Sequence, residues 1–128
     1  MSLTFDIQKV ETDPHWEVLV TKALDAPPRP RAEVQFHTRQ IFLFSFDVLP
    51  HEATFKLGSP TVKNFYVAPH EFGHTLGNND EYRDADGEFG DKESVMNLGR
   101  KLRERHLEFV RESVQTMLPG CRVTTVLS

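Results

Sequence analysis

Residues 70–82 read HEFGHTLGNNDEY, and this stretch decides how the second half of the chain folds. Pro69 precedes it, as is common at the start of a helix, and Gly77 stands where a helix can end. We therefore predict one short helix between these two residues. Positions i and i+4 of a helix share a face, so His70 and His74 are expected to project side by side.

The two histidines predict a metal site, because imidazoles at this separation can bind one Zn²⁺ ion. Glu71 follows the first histidine directly, so its carboxylate lies beside the metal without being a ligand and can take a proton from a water. Gly77 lets the chain leave the helix sharply, and Asp80 can then return its carboxylate as a third ligand. Three protein ligands leave a fourth position for water, which is typical of catalytic zinc.

The segment HEFGHTLGNND resembles the extended signature His-Glu-x-x-His-x-x-Gly-x-x-His/Asp of metzincin metallopeptidases. Its aspartate is similar to the variant found in the snapalysin family of small bacterial metalloproteases. Metzincins also carry a methionine in a tight Met-turn, and the downstream segment SVMN of residues 94–97 matches that position. The resemblance implies zinc-dependent peptide hydrolysis, with three metal ligands, a general base and a turn methionine: His70, His74, Asp80, Glu71 and Met96.

The resemblance runs from Pro69 to the start of the last helix, and the first 68 residues add no specific match. Metzincins usually place one or two helices before the zinc helix, whereas the pattern here predicts strands. The chain is therefore expected to be a divergent, shortened relative of that clan.

Glu81 and Tyr82, which follow Asp80, each have two possible roles. Tyr82 can direct its hydroxyl at the metal and stabilise the oxyanion of the tetrahedral intermediate, or it is a core aromatic with its hydroxyl at the surface. Glu81 is either a solvated carboxylate or the third ligand in place of Asp80.

The acidic segment that follows nearly matches a calcium-binding loop, with four of its five defining positions filled. Its first position is Tyr82, which offers no carboxylate, and no helix-loop-helix frame surrounds it. We therefore predict a solvated acidic loop and keep Ca²⁺ as the alternative. The four matching positions are Asp84, Asp86, Gly87 and Glu93.

Several other polar or reactive side chains have ordinary structural explanations. Met96 has the alternative of an ordinary core methionine, although its place after the third ligand favours the turn, and Cys121 is predicted to be a small buried hydrophobe. His106 is predicted to be a core or surface histidine, with a substrate-side role as the alternative. Arg103 and Arg105 are expected on an exposed charged face, or paired with the acidic loop or a substrate carboxylate. Three histidines lack metal-type spacing and receive no role: His15, His37 and His51.

The pattern as a whole predicts one α+β domain over residues 1–128, whether or not the chain is part of a longer protein. We expect a small, mostly antiparallel sheet, a zinc helix behind it and a long C-terminal helix. The region 16–23 is read as a strand, with a helix capped by Asp13 as the alternative, and a hairpin turn is placed near residues 37–39. The remaining predicted elements are strands at 3–10, 33–48, 53–57 and 121–127, a turn at 58–60 and a helix at 100–118.

Composition limits the possible partners. The formal net charge is −4, which argues against nucleic acid, and no apolar stretch approaches the roughly 20 residues that span a bilayer. The first residues show no signal-peptide pattern, so we expect synthesis in the cytoplasm, with any export using a route without a cleavable signal.

The sequence thus predicts a peptide or protein substrate, with the oligomeric state left open. A strand from the Gln40–Phe46 run is expected to pair as an edge strand with an extended substrate. Two alternatives to a protease stay open. One is a zinc-binding structural or interaction module without turnover, and the other is an amidase that cuts the peptide crosslinks of a cell wall.

Overall fold

The computed structural model describes residues 10–23, 31–49, 51–53, 62–82 and 87–127, and it is a small α+β fold, as predicted. The predicted strand at 3–10 lies almost wholly outside these residues, as do the turn at 58–60 and residues 54–57. The elements in chain order are β1 (Glu17–Thr21), β2 (Glu33–Gln35), β3 (Gln40–Phe44), β4 (His51–Ala53), β5 (Val62–Phe65), α1 (Val67–Thr75), a 3₁₀ helix (Glu104–Leu107) and α2 (Glu108–Met117).

The main sheet has three strands in the order β1-β3-β2, and it is mixed instead of mostly antiparallel as predicted. β2 pairs antiparallel with β3, while the longer ladder between β1 and β3 is parallel. β1 and β3 can run parallel because residues 22–39, which include β2, connect them, and parallel strands need a connection of about this length. Ile41 and Leu43 of β3 are among the most buried apolar residues. The most apolar strand takes the centre, so both neighbours pair with it. β3 is therefore not an edge strand, which corrects its predicted role in substrate pairing. β4 and β5 form a separate antiparallel pair.

The hairpin turn between β2 and β3 falls at residues 36–39, as predicted. Arg39 adopts a φ of 55°, and its N–H donates to the carbonyl of Phe36 at 3.2 Å. The turn thus forms without glycine or asparagine, although a non-glycine residue in this conformation is uncommon.

The core lies between the main sheet and α1. Ala32 joins Ile41 and Leu43 as its fully buried members, and four half-buried residues pack around them: Trp16, Val34, Val67 and Ala68. α1 packs against β2 and β3. This packing sets the edge strand β2 beside the helix that carries the two histidines.

α1 begins at Val67, three residues before the predicted start, and ends at Thr75. Pro69 fits within the first turn because the N–H groups there have no partner inside the helix. Gly77 has a φ of +88°, which is the left-handed conformation predicted for the exit from the helix.

The last helical segment starts later than predicted. Backbone N–H groups of Arg100 and Lys101 donate to the carbonyl of Glu93, and this pairing keeps residues 100–101 out of the helix. The 3₁₀ helix and α2 follow and end at Met117. No helix in the described ranges is long and apolar enough to cross a membrane.

The predicted strand at 121–127 is wrong, because these residues have no regular structure. The side chain of Gln115 engages their backbone instead, accepting from the N–H of Val123 at 2.9 Å and donating to the carbonyl of Cys121. Cys121 is exposed, which corrects its predicted burial.

Candidate metal centre

Three side chains converge at the end of α1. The rings of His70 and His74 lie 4.9 Å apart between centroids, because they are one turn apart on the same helix face. Their Nε2 atoms face a single Asp80 oxygen, Oδ1, at 3.1 Å and 3.3 Å. One ligand atom from each residue lies within 4.8 Å of the others, so these three residues, here called the metal-type group, could hold a metal ion.

Backbone carbonyls orient both imidazole rings. Nδ1 of His70 lies 2.9 Å from the carbonyl of Val95, and Nδ1 of His74 lies 2.8 Å from the carbonyl of Asn78. A carbonyl only accepts, so each Nδ1 carries a proton and Nε2 is the nitrogen that faces Asp80. This arrangement is the one that fixes metal-binding histidines in known sites.

The charges at the centre reinforce one another. Burial opposes ionisation of Asp80, yet hydrogen bonds from His70, His74 and Tyr82 hold the pKa of its carboxyl well below the usual range. Burial likewise opposes charging of His74, but its contacts with Asp80 and with the carbonyl of Asn78 raise the pKa of its ring. Asp80 thus stays anionic, which is the form a carboxylate needs in order to bind a metal ion.

Glu71 lies beside this group without joining it. Burial raises the pKa of its carboxyl, against the opposing effects of His70, His74 and Arg31. Its side chain lines an open cavity of about 390 Å³ together with the metal-type group and the β2 region. The other lining residues are Arg31, Ala32, Glu33, Val34, Phe36, His70, His74, Asp80 and Tyr82.

Tyr82 is half-buried, and its hydroxyl hydrogen-bonds to Asp80. The Tyr82 ring lies 5.8 Å from the His70 ring between centroids. Its hydroxyl therefore lies beside Asp80.

Met96 is fully buried beneath α1. A Cβ added at Gly73 would overlap its Sδ, so the methionine packs directly on the helix backbone between the two histidines. Its N–H donates to the Oγ of Ser94 at 3.2 Å. The same segment supplies the Val95 carbonyl that orients His70.

Glu81 is neither a solvated carboxylate nor a member of the metal-type group. It is 8% exposed, and both of its carboxylate oxygens accept from Arg105 at 2.9 Å. Despite the opposing effect of burial, this pairing lowers the pKa of the Glu81 carboxyl. Arg105 and Arg103 also bind Asp91, at 2.7 Å and 2.8 Å. Both arginines therefore pair with acidic residues, as the alternative predicted, and do not form an exposed charged face.

His106 is a core histidine, 1% exposed, and its contact with the segment around Asp80 was not predicted from the sequence. Its Nε2 lies 3.2 Å from Glu81 Oε1, a contact that spans 25 residues. No spacing rule links residues so far apart, and the only sequence signal was the dense charge of residues 103–106.

The remaining candidates lie elsewhere. His15 and His37 are exposed and outside the metal-type group. In the calcium-type loop, Asp84 and Asp86 lie outside the described residues, and the Glu93 carboxylate pairs with Lys101 at 2.8 Å.

No protein-family model, curated protein or solved structure matches the chain.

Proposed function

We propose that this protein is a zinc-dependent metallopeptidase that hydrolyses peptide bonds. The observation that carries the proposal is the convergence of the His70 and His74 Nε2 atoms on one Asp80 oxygen, beside a cavity-lining carboxylate. Two imidazoles and one carboxylate are a donor set that zinc takes in catalytic sites. Glu71 adjoins the first of these ligands, where a zinc peptidase keeps its general base.

The residues present fit a zinc ion. In the described part of the chain the metal-type group has three members, and a purely structural site would be expected to have four protein ligands. Zinc bound there would lower the pKa of a coordinated water toward about 7 and polarise a substrate carbonyl. Met96, packed against Gly73 beneath both histidines, would serve as the turn methionine and support the helix from below.

Glu71 would act as the general base. It would accept a proton from the attacking water and deliver it to the leaving amine. Its burial supports this role, because a carboxylate with a raised pKa is a stronger base near neutral pH.

Tyr82 would stabilise the oxyanion that forms at the attacked carbonyl. Its hydroxyl already lies within hydrogen-bonding reach of Asp80, and its ring lines the same cavity. A phenol held at the ligand group needs only a small movement to donate to a substrate oxygen.

β2 is the strand best suited to bind an extended peptide. It pairs with β3 on one side, and no other described strand pairs with it. Glu33 and Val34 of β2 line the cavity that contains Glu71. A peptide that added to this edge by main-chain hydrogen bonds would pass directly over the site.

The test compares two glutamate variants of the zinc-loaded protein on a library of unstructured peptides. Glu71→Gln should retain about one zinc per chain and lose hydrolysis. Glu112→Gln makes the same change on the exposed face of α2 and should match the wild type. Undiminished hydrolysis by Glu71→Gln would exclude the general-base role, and a wild type that binds zinc but cleaves nothing would favour a module without turnover.

A further inference from the structure

Asp80 lies in a segment without regular secondary structure, so no helix or sheet ladder holds its backbone in place. Side-chain contacts hold its neighbours instead. Asn78, two residues before it, donates from Nδ2 to the carbonyl of His106 at 2.9 Å. Glu81, directly after it, meets the ring of the same His106 at 3.2 Å. Both flanks of the predicted third ligand are therefore attached to one residue of the 3₁₀ helix.

The ring of His106 is set to donate to Glu81. Its Nδ1 accepts the N–H of Arg103 at 3.1 Å, so in the neutral ring the proton lies on Nε2. Nε2 then faces the Glu81 carboxylate and the Oγ of Ser94, each at 3.2 Å. Burial lowers the pKa of the His106 ring, consistent with this neutral form.

Glu81 is held at its backbone as well as its side chain. Its N–H donates to the carbonyl of Met96 at 2.8 Å, and its own carbonyl accepts from Asn97 Nδ2 at 2.8 Å. The two-point contact with Arg105 fixes the plane of its carboxylate. These bonds leave Glu81 little freedom to move, and they constrain the adjacent Asp80 in turn.

We propose that Glu81, Arg105 and His106, here called the anchor cluster, position Asp80 as a metal ligand and so set the metal affinity of the site. The proposal rests on the metal site of the proposed function. None of the three residues belongs to the metal-type group, so they act through Asp80 as positioning residues. Residues that orient ligands in this way typically change metal affinity 10- to 100-fold when they are removed.

The test measures zinc affinity by competition with a chromophoric chelator, and the ligand set by the visible spectrum of the Co²⁺-loaded protein. His106→Leu, which fills similar space without a donor, should weaken zinc binding about 10- to 100-fold. Its Co²⁺ spectrum should shift toward that of Asp80→Ala. His106→Gln retains an amide donor and should recover part of the lost affinity.

Ile41→Val is the matched control, because it removes one buried methyl group from the core on the far side of α1 and touches no residue of the anchor cluster. It should lower the unfolding midpoint while leaving zinc affinity and the Co²⁺ spectrum unchanged. A cluster with a merely structural role would make His106→Leu behave in the same way, and that result would overturn the proposal.

Glu81→Gln decides the matter if His106→Leu does not fold, because it keeps the side-chain size and loses only the charge that Arg105 pairs with. Reduced zinc affinity supports the proposal, and wild-type affinity overturns it. Failure of the proposed function is distinct from both outcomes, since the wild type itself would then bind no zinc or would bind zinc without cleaving peptides.

Discussion

Gly73 offers a quantitative test of how the turn below α1 packs against the helix. A Cβ at Gly73 would overlap the Sδ of Met96, and Met96 is fully buried, so its thioether must shift within the protein to make room. Overpacking of this kind costs about 1–3 kcal/mol. Replacing a helical glycine by alanine gains about 1 kcal/mol from helix propensity. Gly73→Ala should therefore change the free energy of unfolding by between zero and about −2 kcal/mol.

The sign should reverse once the methionine is shortened. Met96→Ala alone should destabilise the protein by about 2–5 kcal/mol, because it leaves a cavity beneath the helix. With the overlap removed, Gly73→Ala should stabilise the Met96→Ala protein by about 1 kcal/mol or more. The interaction energy between the two sites should then be about 1–3 kcal/mol, which is large for a double-mutant cycle.

The assay is urea unfolding of the four proteins in the presence of a chelator, so that metal binding does not contribute. Equal slopes of free energy against urea would show that the comparison is between like states. Additive effects of the two substitutions, or stabilisation by Gly73→Ala in the wild-type background, would refute direct packing of Met96 against the backbone of α1.

Four further outcomes are expected. Asp80→Ala should weaken zinc binding by more than the 10- to 100-fold expected for Glu81→Gln, as judged by chelator competition. The reverse order would indicate that Glu81, and not Asp80, is the third ligand. Tyr82→Phe should lower kcat about 100- to 1,000-fold with zinc retained, whereas an equal loss of zinc would make Tyr82 only a support for Asp80. The pKa of the Glu81 carboxyl is lowered from its ordinary value of 4.5. The charged carboxylate therefore stabilises the fold above pH 4.5, and this stabilisation is lost as the pH falls through the folded-state pKa. Acid unfolding of Glu81→Gln should accordingly depend less on pH in that range than acid unfolding of the wild type. Zinc at 100 times its Kd should raise the free energy of unfolding by about 2.7 kcal/mol over the chelated protein, and an unchanged midpoint would argue against a site that exists only in the folded state.

The features that the sequence predicted correctly depend on local rules. The i and i+4 spacing brings His70 and His74 to one face, and Gly77 takes the left-handed conformation that reverses the chain. The hairpin of β2 and β3 follows from two apolar runs separated by a short turn. In each case the interacting residues are close in sequence, so pattern and spacing were sufficient.

The features that the sequence did not predict depend on contacts between distant residues. The parallel pairing of β1 with β3 joins strands separated by β2, and nothing in either strand specifies its partner. The burial of Glu81 arises from Arg105 and His106, which are 24 and 25 residues away. The later start of the last helix has a more local cause, because the N–H groups of residues 100–101 donate to the Glu93 carbonyl instead of entering the helix. Secondary-structure propensity alone does not predict such contacts.

The most direct measurement of the central claim is an anomalous difference map at the zinc absorption edge, from crystals of the protein grown with Zn²⁺. We predict one peak at the end of α1, about 2.0–2.1 Å from the Nε2 atoms of His70 and His74 and about 2.0–2.2 Å from an oxygen of Asp80. No peak at that position, or a fourth protein ligand that closes the site, would contradict the account.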